Sequence, residues 1–273
     1  MTATLAPATA TIGDGLTMHY HAAGSGPAVL FLHGSGPGAS GYSNFKDNVA
    51  PVLETGHRAI LLDSIGYGQS SKPVDRDYTM AFMSGCAVQT LDALGIDRCV
   101  IVGNSQGGAQ AIRIALDHPD RVRGLVLMAP GGLEPRETYM EMRGIRSMLR
   151  CIYGPEGITE EGMHKVFSKQ LYDASELDPA VVTERTAIAL TQPTHVFRTM
   201  QVPNQSAELS GIQCPVLGLW GADDLFCPPS GVDHLLREVQ DCRVMVFNRC
   251  GHWVMVEHRD RFNRLLADFL RHL

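Results

Sequence analysis

Six short runs rich in Val, Ile and Leu punctuate this chain, at Ala28 to Leu32, Ala59 to Leu62, Cys99 to Val102, Leu125 to Met128, Val216 to Trp220 and Val244 to Phe247. Each is strand-sized and nearly continuous in apolar character, the pattern of a strand covered on both faces, as buried parallel strands are. Helix-length segments such as Met80 to Leu94 and Gly108 to Leu116 lie between several of them. The alternation predicts an α/β fold with a doubly wound, mostly parallel sheet, and the right-handed crossover rule restricts its threading. Ahead of the first run, Gly13, Asp14 and Gly15 interrupt β-compatible residues from Thr11 to Tyr20, which predicts an antiparallel N-terminal hairpin at the sheet edge. Met1 to Ala10 has no basic residue before an apolar stretch and reads as a flexible lead-in, not a secretory signal.

From Pro135 to about Ala207 the strand-like runs stop, and Met, Arg, Glu and short helix-like pieces replace them. We read residues 135–207 as a helical cap inserted in a core formed by 1–134 and 208–273. An insertion that begins directly after a strand end lies over the carboxyl edge of the sheet, where such folds bind ligands. The stretch Arg261 to Leu270 reads as an amphipathic closing helix. With 273 residues, 44% hydrophobic and 19% charged, the chain suits one globular domain. Its 23 Lys and Arg against 29 Asp and Glu give a net charge of -6, so a nucleic-acid partner is not expected. No apolar run approaches the roughly eighteen residues of a membrane span. The seven cysteines are odd in number, scattered and without zinc-ligand spacing, as suits reduced thiols in a cytoplasm.

The chemistry is carried by Gly103, Asn104, Ser105, Gln106 and Gly107, a G-x-S-x-G string that directly follows an apolar run and precedes a helical pattern. That context is a nucleophile elbow, a sharp strand-to-helix turn that lifts a serine hydroxyl above the sheet. A Gly-rich turn with an incidental serine is the blander alternative. A serine hydroxyl needs a base, commonly a histidine oriented by a carboxylate. In the α/β-hydrolase fold the chain order is Ser, acid, His. The run Val216 to Trp220 leads into Asp223 and Asp224, and the run Val244 to Phe247 leads into His252. Asp224 is preferred because Leu225, Phe226 and, one residue on, Pro228 follow it; Asp223 is the fallback. His33 opens a Gly/Pro loop in the oxyanion-loop position, so the backbone N–H groups of Ser35 or Gly36 and of Gln106 are the candidate oxyanion donors.

Four strings are more specific: HGSGPGASGYSNF from His33 to Phe45, GNSQGG from Gly103 to Gly108, MAPGGL from Met128 to Leu133, and CGHW from Cys250 to Trp253. In them the chain resembles, over nearly its whole length, the meta-cleavage-product hydrolases of the α/β-hydrolase superfamily. Those enzymes hydrolyse a carbon-carbon bond in ring-opened catechols, the 2-hydroxy-6-oxohexa-2,4-dienoates, during aromatic or steroid degradation. The resemblance implies that Asn44 binds the dienoate end, that Arg185 pairs with the substrate carboxylate, that Trp253 lines the pocket and that Asn104 sits beside the nucleophile. Arg185 stands in ERTAIALTQPTH, with Gln192, Pro193 and His195 following the family's cap pattern. Its blander reading is a solvated helix arginine.

Gln106 departs from the family, many members of which carry methionine after the serine, and this places a polar side chain near the oxyanion site. Met140, Met142, Met148, Leu149, Ile152, Val166, Phe167 and Val196 either shape a substituent pocket or form cap core. The resemblance implies a small-molecule dienoate as the partner, a homo-oligomer of dimeric or higher order, and a route that needs no metal or organic cofactor. A carboxylesterase or lactonase using the same triad, and a non-catalytic ligand receptor on a hydrolase fold, are the competing readings.

Overall fold

A computed structural model describes residues 4–273. Among them run the strands β1 (Ala6–Thr11), β2 (Thr17–Ala23), β3 (Ala28–Leu32), β4 (Arg58–Leu62), β5 (Cys99–Asn104), β6 (Val122–Met128), β7 (Val216–Gly221) and β8 (Cys242–Phe247). They form one sheet in the order β1-β2-β4-β3-β5-β6-β7-β8. β1 pairs antiparallel with β2, and β2 with β4; every pairing from β4 to β8 is parallel. All six apolar runs are therefore strands of a mostly parallel, doubly wound sheet. β3 and β5 are buried at every position, as strands covered on both faces must be.

Two expectations need correction. Ala6 to Thr11 is not part of a flexible lead-in but the first strand, in register from Ala6 opposite Ala22 to Thr11 opposite Thr17. Its alternating Ala and Thr bury only Ala10, so the residues carry almost no apolar signal and the ladder to β2 holds the strand. Met1 to Ala3 lie outside the described residues. The hairpin turn itself is as expected, with Asp14 (φ 60°) and Gly15 (φ 69°) in the left-handed region. β8 departs from the buried strand that its composition predicts, with Met245 and Val246 41% and 48% exposed. The reason is its position: it ends the sheet and pairs with β7 alone.

The chain leaves β3 toward β4 on one side and later crosses to β5 on the other, so the strand order reverses between β3 and β5. The loops after those two strands diverge there and open a crevice. The crossing helix, Met80–Ala93, starts where the Thr79 hydroxyl accepts the Phe82 N–H, and the chain turns out of it at Gly95 (φ 65°).

Between β6 and β7 lie the α-helices Arg136–Glu141, Arg143–Tyr153, Glu160–Phe167, Pro179–Ala189 and Thr194–Thr199, and no strand. Gln192 clasps this insertion to the core, accepting the Gly38 N–H (3.2 Å) and donating to the Gly66 carbonyl (2.9 Å). A Cβ on Gly38 (φ 66°) would run into the Arg185 carbonyl, so only glycine fits. Among the described residues no helix is long and apolar enough to cross a membrane.

Candidate active site

Ser105 joins β5 to the helix Gln106–Asp117 with φ 57° and ψ -121°, a conformation that costs a non-glycine residue ~1–3 kcal/mol. Its surroundings enforce that strain. The Ser105 N–H donates to the Met128 carbonyl (3.0 Å), and its own carbonyl accepts from Ala109 (3.0 Å) and Gly131 (2.9 Å). A Cβ on Gly103 would collide with the Gly107 carbonyl, and one on Gly107 with that of Leu32. The two glycines let helix, β3 and β5 close up, and the turn lifts the hydroxyl to the helix N-terminus at the crevice.

His252 Nδ1 lies 2.7 Å from Asp224 Oδ2, with both side chains buried. The other carboxylate oxygen, Oδ1, accepts the N–H groups of Phe226 (2.7 Å) and Cys227 (2.9 Å), which lock the carboxylate in place. Asp223 is exposed and meets Cys250 only through its backbone, so Asp224 is the acid that reaches the imidazole. With Nδ1–H donated to Asp224, Nε2 is left as the basic nitrogen. The Phe226 ring stacks on the imidazole with centroids 5.2 Å apart. His252 N–H and Trp253 N–H both donate to the Gln170 carbonyl, at 2.7 and 3.2 Å, so the insertion braces the histidine loop.

Ser105 and His252 line one cavity, although among the described residues no hydrogen bond joins them. Hydrogen bonds of this kind are commonly loose before substrate binds. Burial raises the pKa of the Cys227 thiol well above the ordinary thiol value, so it stays protonated.

Ser35 and Gly36 line the same cavity. Among the described residues their N–H groups have no backbone acceptor, and Gln106 N–H, at the first helical position, has none within its helix. His33 holds this loop. Its Nε2 accepts the Ser64 N–H (3.0 Å), which puts the ring proton on Nδ1, donated to the Gly34 carbonyl (2.8 Å). Burial pushes the His33 pKa down from 6.5 to about 4. Between those values the unfolded chain binds a proton that the fold refuses, so stability falls as the pH drops through that window. We expect His33 to account for a loss of roughly 3 kcal/mol in unfolding free energy between about pH 7 and about pH 4. Denaturant titrations of the wild type and His33→Gln across this range check it; parallel curves would count against a buried neutral histidine.

The Gln106 side chain corrects an expectation. It does not line the cavity: its Nε2 lies 3.0 Å from both Met83 Sδ and Met200 Sδ, and its buried Oε1 has no partner among the described residues. The helix start fixes its backbone N–H next to Ser105 and sends the side chain to the two methionine sulfurs.

Arg185 is 2% exposed, far from a solvated helix arginine. Its guanidinium carbon lies 4.8 Å from the Phe167 ring centre and 5.3 Å from that of Trp253. Nε and Nη1 have no hydrogen-bond partner among the described residues. Burial lowers its pKa to about 10, which leaves it charged at neutral pH. Arg185, Asn44, Asn104 and Trp253 all line the cavity with Ser105 and His252. Asn104 donates to the Met128 carbonyl (3.2 Å), whereas the buried Oδ1 of Asn44 is unpartnered among the described residues.

Of the apolar residues singled out in the insertion, Met148 lines the cavity and Phe167 reaches it through Arg185; Ile152, Val166 and Val196 are interior core, and Met140 is exposed. Ile145, Gln170 and Phe226 also line it, and sequence reasoning misses all three. Phe226 was within its reach, two residues after Asp224. Gln170 had no motif to mark it.

Residues 27–148 match the family described as alpha/beta hydrolase fold. The chain is 39% identical over 268 residues to a 2-hydroxy-6-oxo-6-phenylhexa-2,4-dienoate hydrolase of Comamonas testosteroni, covering 93% of this chain and 91% of that one. It is 38% identical over 266 residues to a 2-hydroxy-6-oxononadienedioate/2-hydroxy-6-oxononatrienedioate hydrolase of the same organism, again covering 93% and 91%. Among solved structures it is similar to a mutant meta-cleavage product hydrolase from Pseudomonas fluorescens IP01 complexed with acetates, with a TM-score of 0.86, 27% identity and 98% of each chain covered.

Proposed function

Since the chain belongs to the meta-cleavage product hydrolases of the α/β-hydrolase fold, we propose that it hydrolyses the C5–C6 bond of a 2-hydroxy-6-oxohexa-2,4-dienoate. The products are 2-hydroxypenta-2,4-dienoate and a carboxylic acid, formed in the degradation of an aromatic or steroid ring. The observation that carries this reading beyond ester hydrolysis is Arg185. An esterase has use for Ser105, His252 and Asp224, but none for a buried guanidinium in the same cavity whose N–H groups are unpaired among the described residues. A carboxylate matches that planar fork and relieves the unpaired charge.

In this mechanism the bound dienol first moves a proton from its C2 hydroxyl to C5, leaving a ketone at C2. His252, oriented by Asp224, then takes the Ser105 proton as the serine oxygen attacks C6. Negative charge develops on the C6 oxygen, where the N–H groups of Ser35, Gly36 and Gln106 stabilise it. When the tetrahedral centre collapses, the C5–C6 bond breaks and its electron pair spreads through the C3–C4 double bond onto the C2 oxygen. Proton return from His252 releases the hydroxypentadienoate, and water activated by the same imidazole frees the acid from the Ser105 ester. Ile145, Met148 and Phe226 remain for the C6 substituent, which favours an alkyl or aryl group. Residues 135–207 serve as a cap that contributes Ile145, Met148, Gln170 and Arg185 to the cavity.

The test is turnover on a series of yellow dienoates with alkyl, aryl and carboxylate-bearing C6 substituents, beside a panel of p-nitrophenyl esters. Anaerobic bleaching of at least one dienoate, with kcat/KM about a hundredfold above the best ester, is expected. Preference for the esters would assign an esterase or lactonase, and dienoate binding without turnover of either class would assign a receptor.

A further inference from the structure

Gln170 is 4% exposed and follows the helix Glu160–Phe167 in the insertion. Its backbone is fully occupied, the N–H donating to the Phe167 carbonyl (2.9 Å) and the carbonyl accepting from His252 and Trp253. Its side chain is the opposite case: Gln170 lines the cavity that Ser105 and His252 share, and its buried Oε1 has no partner among the described residues. A buried amide without hydrogen bonds costs ~1–3 kcal/mol. Such a cost is sustained where a ligand completes the bonding.

Elimination identifies the ligand atom, on the substrate reading above. A 2-hydroxy-6-oxo-dienoate brings oxygen to this cavity as a C1 carboxylate, a C2 oxygen and a C6 oxygen. Arg185 matches the carboxylate, and the free N–H groups of Ser35, Gly36 and Gln106 match the C6 oxygen. The C2 oxygen remains, and so do the amides of Gln170 and Asn44, two residues that line the cavity and whose buried amide oxygens are unpartnered among the described residues. Gln170 is bonded through its backbone to both residues whose rings pack on Arg185. Trp253, whose N–H rests on the Gln170 carbonyl, and Phe167, whose carbonyl takes the Gln170 N–H, are the two rings against the Arg185 guanidinium.

We infer that the Gln170 amide hydrogen-bonds the C2 oxygen of the substrate. That oxygen is a hydroxyl donor when the dienol arrives and the seat of negative charge when C5 departs. An amide carries one acceptor and two donors, so it can meet both states. Gln170 thereby selects for a 2-oxygenated dienoate and steadies the leaving group.

The experiment compares the wild type with Gln170→Leu and Gln170→Met, which keep the backbone carbonyl under His252 and nearly the same volume. Two probes are used: the 2-hydroxy-6-oxo-dienoate as substrate, and a 6-oxo-2,4-dienoate lacking the 2-hydroxyl as competitive inhibitor. Both variants are expected to lose about tenfold or more in kcat/KM on the substrate, while Ki for the deoxy compound changes less than about twofold. Equal losses on both probes would mean that Gln170 acts only through the histidine loop, and no loss on either would remove it from recognition. Each outcome overturns the inference. A wild type that cleaves no dienoate brings down the proposed function and this inference together, whereas normal cleavage by both variants sinks the inference alone.

Discussion

Ser105→Ala is expected to lower kcat on the dienoate by at least ~10⁴-fold while the protein stays folded and still binds substrate. The substitution deletes one oxygen. It leaves intact the strained turn at φ 57°, since alanine and serine pay the same backbone cost there. It also leaves the His252–Asp224 pair and the proposed oxyanion donors in place. Anaerobic stopped-flow absorbance separates the outcomes, because binding perturbs the dienoate spectrum and cleavage abolishes it. Turnover within about tenfold of wild type would remove Ser105 from the chemistry. A smaller but real residual rate that vanishes on further replacement of His252 would assign the attack to water activated directly by that imidazole, through a gem-diol instead of an acyl-enzyme.

The second large effect has opposite signs in two measurements. Arg185→Leu is expected to lower kcat/KM on the dienoate by about 10²- to 10³-fold and to raise the unfolding temperature. The activity loss follows from removing one member of a desolvated charge pair. The stability gain follows from what the ligand-free protein carries: a guanidinium 2% exposed with two nitrogens unpaired among the described residues. Desolvating such an ion costs several kcal/mol. Against this, stacking on Phe167 and Trp253 returns ~1–2 kcal/mol per ring at best. Leucine fills much of the space without the charge. Esters that lack a carboxylate should be hydrolysed within about threefold of wild type, since Ser105, His252 and Asp224 are untouched. If activity and thermal stability fell together, Arg185 would be a brace for the insertion and not a receptor for the substrate.

Legibility in the sequence tracks how far a local pattern commits the backbone. Continuous apolar runs specify β3 to β7 because a strand buried on both faces admits little else. The elbow is legible for a similar reason: small residues at 103 and 107 and a serine between strand and helix leave one economical geometry. Strand ends then draw Asp224 and His252 to one edge. What escapes is decided by neighbours and not by the residues themselves. β1 is a run of Ala and Thr held by its partner strand. β8 has the composition of an interior strand but no strand beyond it. From sequence the Gln106 side chain is expected near the oxyanion site, and its amide meets two methionine sulfurs instead; Gln170, with no motif around it, lines the cavity.

The bracing of the His252 loop by the Gln170 carbonyl bears on how such proteins diversify. In a fold whose lid can be exchanged freely, lid residues tune specificity and the catalytic apparatus is inherited unchanged with the scaffold. Here the carbonyl that holds the His252 backbone comes from the segment between β6 and β7, so a replacement segment that lacks a matching carbonyl is expected to loosen the histidine loop as well. Side-chain changes in that segment that keep the main-chain grip on His252 are therefore expected to alter the cavity without disturbing the histidine.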